Sequence, residues 1–480
     1  MTHAARARRI AQPVDDVSPA PSRADPTVAR AVRMLGGAWG RHAATGRWWS
    51  PLRVLLALGS FTLVLAFVQK APCADANWVA NKQYTHACYS DVIPLWGVEG
   101  LDIGAVPYRD HAVEYPVLTG GFMWLAAGIT NAVDGLFTAF SDVQIFGLVT
   151  SLLLTICALL MIVGTVGAAG RRPYDAALAA VSPLLIFHAF SNWDLLAMTF
   201  ASCALWAWAR NRPVAAGVLI GLGTAAKLYP ALLLVPIIVL AWRTGRLGPA
   251  RWACVAAAAS WAAVNLPVAF AYPRGWREFF TFNIDRGTEW DTIWYIGHYA
   301  LTQHETSWKP PGLVVAGLTG AAELGVAVLA LRAPRRPRVA QIAFLAVAAF
   351  LFTSKIWSRQ YSLWLVPLVA LARPRWRVAL IWQFSEIALW IVFMLFLLGL
   401  GDPAHSVPYG WLLLCVVARD LMLLALGGLV VREMLHPELD VVRSGGVDDP
   451  GGGPYDAAPD RARSQPVDTS EDFKNSMSAP

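Results

Sequence analysis

"LVTSLLLTICALLMIVGTVGAA", residues 148–169, runs straight into "GRRPY", residues 170–174. The first stretch carries no charge and almost no polar stripe. A soluble helix of this length needs such a stripe to face water, whereas a bilayer core of about 30 Å needs about 20 apolar residues. The arginine pair that follows suits the cytoplasmic edge of a membrane, where Lys and Arg collect. The same alternation recurs along the chain. Of 480 residues, 56% are hydrophobic and only 15% charged, against about 25% charged in an ordinary soluble domain. The reading is an all-α polytopic membrane protein.

The formal charge of +7 sits in short clusters between apolar blocks. These are "GRRPY" (170–174), "RNRP" (210–213), "RTGRLGPAR" (243–251), "RAPRRPR" (332–338) and "RPRWR" (373–377). This spacing argues for orientation in a bilayer and not for nucleic-acid binding. With all five clusters cytoplasmic, about twelve transmembrane helices fit: 53–69, 143–167, 174–190, 195–209, 213–226, 229–242, 252–271, 311–331, 339–353, 361–372, 378–399 and 411–431. An even number places both termini in the cytoplasm. Residues 117–137 are apolar enough to span, but a span there would invert every later loop. They are expected to lie on, or dip into, the outer leaflet. The chain divides into a polar, Arg-rich leader (1–50), a membrane domain (51–435) with its first outward loop at 70–142, and a Gly-, Pro-, Asp- and Ser-rich tail (436–480). Leader and tail both read as disordered, and no cleavable signal peptide is expected. Many of the 22 tryptophans fall near block ends, among them Trp242, Trp252, Trp276, Trp308, Trp376 and Trp411, as in interfacial belts. Cys157, Cys203, Cys254 and Cys415 lie inside apolar blocks. Cys73 and Cys88 share the first loop, and spacing alone leaves their pairing open.

The outward loops collect the acids and bases. "YSDVIPLW" (89–96) and "GAVPYRDHAVEYPVLTG" (104–120) hold Asp91 and Glu114. "SNWDLL" (191–196) holds Asp194, and "KLYP" (227–230) holds Lys227. Loop 272–310 holds Arg286 and His298, and "TSKIWSRQY" (353–361) holds Lys355 and Arg359. The spans are read as nearly empty of charge, apart from Glu323 and Glu386. A transporter instead places its essential charges near the midplane. Carboxylates with cations on one membrane face suit transfer of a sugar from a lipid phosphate. A carboxylate takes the proton of the attacking hydroxyl, and cations stabilise the departing phosphate. Bland readings stand beside these. Asp91 and Asp194 also suit helix N-caps, Lys227 suits snorkelling, and Arg286 suits pairing with Asp285 or Glu289. No metal-ligand spacing, phosphate-cradling Gly-rich loop or nucleophile elbow is visible, and no cofactor is expected.

In their order, "YSDVIPLW…GLDIGAVPYRDHAVEYPVLTG", "SNWDLLAM", "GLGTAAKLYPALLLVPI", "FNIDRGTEWDTIWY" and "SKIWSRQYSLWLVPL" resemble the actinobacterial family 87 membrane glycosyltransferases, which have the C-type glycosyltransferase fold. The likeness runs from about residue 89 to 367. It implies a polyprenyl-phosphate sugar donor, typically of mannose, a glycolipid or glycan acceptor, and an extracytoplasmic site in the plasma membrane. It also implies catalysis by an acid in the first outward loop, here Asp91, with Asp194 as a second acid. Glu114, Lys227, Arg286, Lys355, Arg359 and His298 are the expected substrate-binding residues. Inversion at the anomeric carbon is inherited from the fold class. One departure is "SRQY" (358–361), where "SPQY" is expected. The rival reading is a transporter or flippase of lipid-linked sugars.

Overall fold

A computed structural model describes residues 25–36, 48–74, 81–303, 307–405, 407–444 and 446–460. The described chain is all-α. Its strand-like pairing is an isolated bridge between Pro107 and His111. Among the described residues six helices are long and apolar enough to cross a membrane: Pro51–Cys73, Asp142–Ala169, Leu247–Ala271, Gly312–Arg332, Trp376–Gly401 and Tyr409–Leu435. The expected twelve spans are therefore corrected to six long apolar helices.

The remaining blocks fall short for identifiable reasons. Asp194–Ala209, Pro213–Ala226 and Val339–Thr353 have 16, 14 and 15 residues. At 1.5 Å per residue these are about 21–24 Å long, less than a hydrocarbon core. The block at 174–190 breaks into a 3₁₀ turn and two short helices, the second starting at Pro183. The block at 361–372 becomes a 3₁₀ segment and an eight-residue helix. Residues 117–137 form a helix over Val117–Val133, packed against Asp142–Ala169 and Pro213–Ala226.

Local chemistry sets the ends of these elements. Ser50 caps Pro51–Lys70 through the Arg53 amide, with Pro51 at the first helical position. Ser141 and Gln144 form a reciprocal capping box that starts Asp142–Ala169. Gly245 ends Leu234–Thr244 in the left-handed region, at φ 71°. Pro213–Ala226 and Leu247–Ala271 approach so closely that a side chain at Gly217 or Gly221 would strike the backbone of Ala253 or Ala257. Small residues permit this kind of packing between apolar helices.

The short helices run from one end of the bundle to the other. Asp194–Ala209 begins at Asp194 and ends where Trp208 Nε1 donates to the Gly452 carbonyl at 3.0 Å. That second end is closed by residues 437–460, which correct the expectation of disorder from 436 onward. Arg338, buried, pairs with Asp440 at 2.7 Å and donates to the carbonyls of Leu371 and Ala372. Arg243 holds Asp460 at 2.9 Å, Arg336 holds Asp448, and the Tyr455 hydroxyl donates to the Ile237 carbonyl. Composition hid this order because the tail's aspartates are matched by arginines from the clusters. Residues 461–480 lie outside the described residues. So does most of the leader, of which Pro26–Gly36 is helical. The expected interfacial tryptophans divide. Trp242, Trp252 and Trp411 are more than half exposed, while Trp276 and Trp376 are partly buried.

Candidate active site

At the other end, the broken elements surround a cavity of about 590 Å³. Irregular backbone is tolerated at such a depth where it lines a cavity. Asp91, Glu114, Lys227, Arg286 and Arg359 all line it, although the first and last are 268 positions apart in sequence.

Asp91 precedes the helix Val92–Val98, but its carboxylate makes no capping bond. Its amide donates instead to the Ser191 carbonyl at 2.8 Å. Its Oδ2 accepts from Asn192 Nδ2 at 2.8 Å and from Gln360 Nε2 at 3.4 Å. Asn192 Nδ2 also donates to the Tyr115 hydroxyl at 2.8 Å. Two segments distant in sequence thus fix one carboxylate. Burial raises the Asp91 pKa above the ordinary carboxylate value. Hydrogen bonds from Asn192 and Tyr89 and the charges of Lys227 and Arg359 pull it back. The Cys73–Cys88 disulfide ties the end of Pro51–Lys70 to the segment that carries Asp91.

Asp194 opens its helix without capping it. It lies behind the cavity and not on its lining. Its buried Oδ1 accepts from Trp364 Nε1 at 2.8 Å and sits 3.4 Å from Lys227 Nζ. Lys227 follows the last turn of Pro213–Ala226 in extended backbone. Its ammonium lies over the rings of Tyr361 and Tyr115, at 4.9 and 5.3 Å. It is buried among these partners and does not snorkel.

Glu114 lies in a segment latched by Tyr108, whose hydroxyl donates to the carbonyls of Tyr115 and Pro116. Tyr108 itself has φ 69°, and Gly275 leaves no room for a side chain against the Tyr108 backbone. Burial raises the Glu114 pKa, and the charge of Arg286 opposes it. Nearby Glu99 is buried 3.3 Å from His111 Nε2, and its pKa is pushed up to about 7, chiefly by burial.

Arg286 and Arg359 meet at one carboxylate. Glu289 Oε2 is 2.8 Å from an Arg359 nitrogen, and Oε1 is paired with Arg286. The Arg359 guanidinium also stacks on Phe393 at 3.8 Å. Two expected binding residues fall elsewhere. The Lys355 ammonium donates to the carbonyls of Ile284 and Arg286, at 2.8 and 2.6 Å, and so ties two loops together. His298 stacks on Trp308 and does not line the cavity. Charge within the long helices also exceeds the expectation of Glu323 and Glu386. Buried Arg419 in Tyr409–Leu435 stacks on Trp357 and donates to the Asp291 carbonyl at 2.6 Å.

The sequence reading missed Asn192, Gln360 and Tyr115, and it named Glu289 only as a pairing partner of Arg286, which it is. The first two stand beside residues that drew notice, Asp194 and Arg359. A neutral amide carries no signal until its partner is known.

Residues 136–358 match the model of glycosyltransferase family 87. Over that stretch the chain is similar to glycosyltransferase family 87. The matched stretch is a little under half of the chain. It includes Asp194, Lys227, Arg286 and Glu289, and it leaves Asp91 and Glu114 ahead of it. Among solved structures, the chain is similar to ArnT from Cupriavidus metallidurans, crystallised with undecaprenyl phosphate. The identity is 14% over 80% of this chain and 77% of that one, with a TM-score of 0.39. No curated protein matches the chain.

Proposed function

We propose that the chain is a family 87-type glycosyltransferase that transfers a hexose, with mannose the first candidate, from polyprenyl phosphate to a glycolipid or glycan of the cell envelope. The observation that carries the reading is the Asp91 carboxylate, held by two amides, in a cavity shared with Lys227, Arg286 and Arg359. The acceptor oxygen attacks the anomeric carbon as its proton passes to Asp91. The bond from that carbon to the phosphate oxygen breaks, and the electron pair leaves with the phosphate. Cations stabilise that departing charge. A single displacement inverts the anomeric carbon. Asp91 then releases its proton to solvent. Asp194, behind Lys227, keeps that cation aimed and charged. Glu114 is proposed to bind acceptor hydroxyls.

The arginine clusters at the far end of the bundle support a cytoplasmic placement of that end. The cavity then opens on the extracytoplasmic side of the plasma membrane. Residues 437–460 pack on the arginine-rich end, and Asp25 accepts from the Trp376 amide near the "RPRWR" cluster. Both observations favour cytoplasmic termini. Residues 51–435 form the proposed membrane domain.

The test uses purified protein in lipid nanodiscs with radiolabelled polyprenyl-phosphate mannose and a crude envelope glycolipid fraction. Wild type should transfer label, and Asp91→Asn should bind donor without transferring it. Transfer that survives in Asp91→Asn would remove Asp91 as the base. No transfer by wild type with any hexose donor or acceptor fraction would refute the reading.

A further inference from the structure

The site poses a problem of release. A polyprenyl-phosphate sugar is a phosphodiester with one negative charge. The lipid phosphate left after transfer is a monoester, with about −1.5 to −2 charges at pH 7. Cations that hold the donor therefore hold the product harder. The molecule has an internal anion where it would relieve this. Glu289 is buried, and its carboxylate bridges Arg286 and Arg359 across the cavity lining. Its main chain is pinned, because its amide donates to the Lys355 carbonyl at 3.1 Å and its carbonyl accepts from the Thr292 hydroxyl at 2.9 Å. The side chain is the part left to move.

The two arginines are not equivalent. Arg359 has a second carboxylate, Asp291, at 3.4 Å, and only 15% of its side chain is exposed. For Arg286, Glu289 is the one ion-paired carboxylate among the described residues, and 35% of the Arg286 side chain, which lines the cavity, is exposed. A carboxylate offers a guanidinium much the same pair of oxygens as a phosphate does. An incoming phosphate can take Arg286 while Glu289 keeps Arg359. No charge is then left buried without a partner, which is what makes the exchange affordable.

We propose that Glu289 is an exchange anion. It occupies Arg286 in the empty site, yields it to the phosphate of the lipid-linked donor, and returns to Arg286 to help expel the lipid phosphate product. The inference rests on the reading of the cavity as a lipid-phosphate site. Glu289 acts through Arg286 and is a positioning residue.

The test measures binding of radiolabelled undecaprenyl phosphate to the full chain in nanodiscs, with undecaprenol as the neutral control. Glu289→Gln should bind the phosphate about tenfold tighter than wild type, within the usual range of coupling between sites. It should also lower KM and kcat together as product release slows. In an Arg286→Gln background, Glu289→Gln should add nothing. Damage to the fold would not tighten binding. Equal or weaker binding by a folded Glu289→Gln overturns the exchange while leaving the donor reading intact. Failure of wild type to prefer undecaprenyl phosphate over undecaprenol overturns both. Should Glu289→Gln not fold, Arg286→Gln alone decides. It should bind the phosphate about tenfold more weakly than wild type, and unchanged binding overturns the proposal.

Discussion

The two ends of this molecule use the same chemical pair, arginine with carboxylate, to opposite effect. At the tail end, Arg338 spends its donors on Asp440 and two backbone carbonyls, with 2% and 1% of the paired side chains exposed. At the cavity end, Arg286 leans on Glu289 with a third of its side chain open. Asp194 Oδ2, Asp291 Oδ2 and Arg359 Nε are buried there without a hydrogen-bond partner. Saturated pairs fix a shape. Pairs with bonding capacity left over, beside a cavity, can accept a ligand. Neither charge nor satisfaction alone distinguishes the two uses, since Arg373 Nη1 and Glu433 Oε2 at the tail end are also buried without a partner; spare bonding capacity that adjoins the cavity does.

The largest expected effect falls at the cavity end. Asp91→Asn should cost about 10²–10⁴ in kcat, the usual weight of a general base, with the melting temperature of the purified protein unchanged. A large loss of stability instead would mean that Asp91 belongs with the saturated kind. Next, Arg338→Ala leaves buried Asp440 with Arg443, at 3.9 Å, as its remaining ion partner and should cost about 3 kcal/mol of stability, read by unfolding in detergent. Turnover per folded molecule should hold. Lys227→Met should lower kcat/KM about a hundredfold, the cost of one lost electrostatic contact to developing charge. Adding Asp194→Asn should restore stability but not turnover, which would place this pair between the two classes.

The smallest effect is on pH dependence. The base works deprotonated, and burial holds its pKa above the ordinary value of about 3.9. Activity should therefore fall on acidification through a limb lying above that value. Asn192 donates to the charged form, so Asn192→Ala should move the limb up by about half to one pH unit. A limb that stays put or moves down would show that the amide does not tune Asp91.

Much of this comparison was legible in the sequence, for reasons that also explain where reading stopped. Apolar blocks marked the helices, and loop position marked Asp91, Glu114, Lys227, Arg286 and Arg359 as one group. Hydropathy could not separate a long helix from two short ones. The blocks at 174–190 and 361–372 are apolar because they are buried in protein, as Leu184 and Leu365 are, and twelve spans were counted where six helices are long enough. The tail failed on composition, since Asp440 and Asp460 read as solvated until Arg338 and Arg243 are seen opposite them. Lys355 failed on geometry. Its charge was visible, but two backbone carbonyls claim it.

The Cys73–Cys88 bridge closes a ring 15 residues in separation, three positions ahead of Asp91. On the proposed topology, thiols on the cytoplasmic side stay reduced, so this ring closes only after the loop has been translocated. Maturation of the protein then includes an oxidative step. The yield of competent protein from a foreign host should follow that host's capacity to oxidise exported thiols, more than its capacity to insert apolar helices.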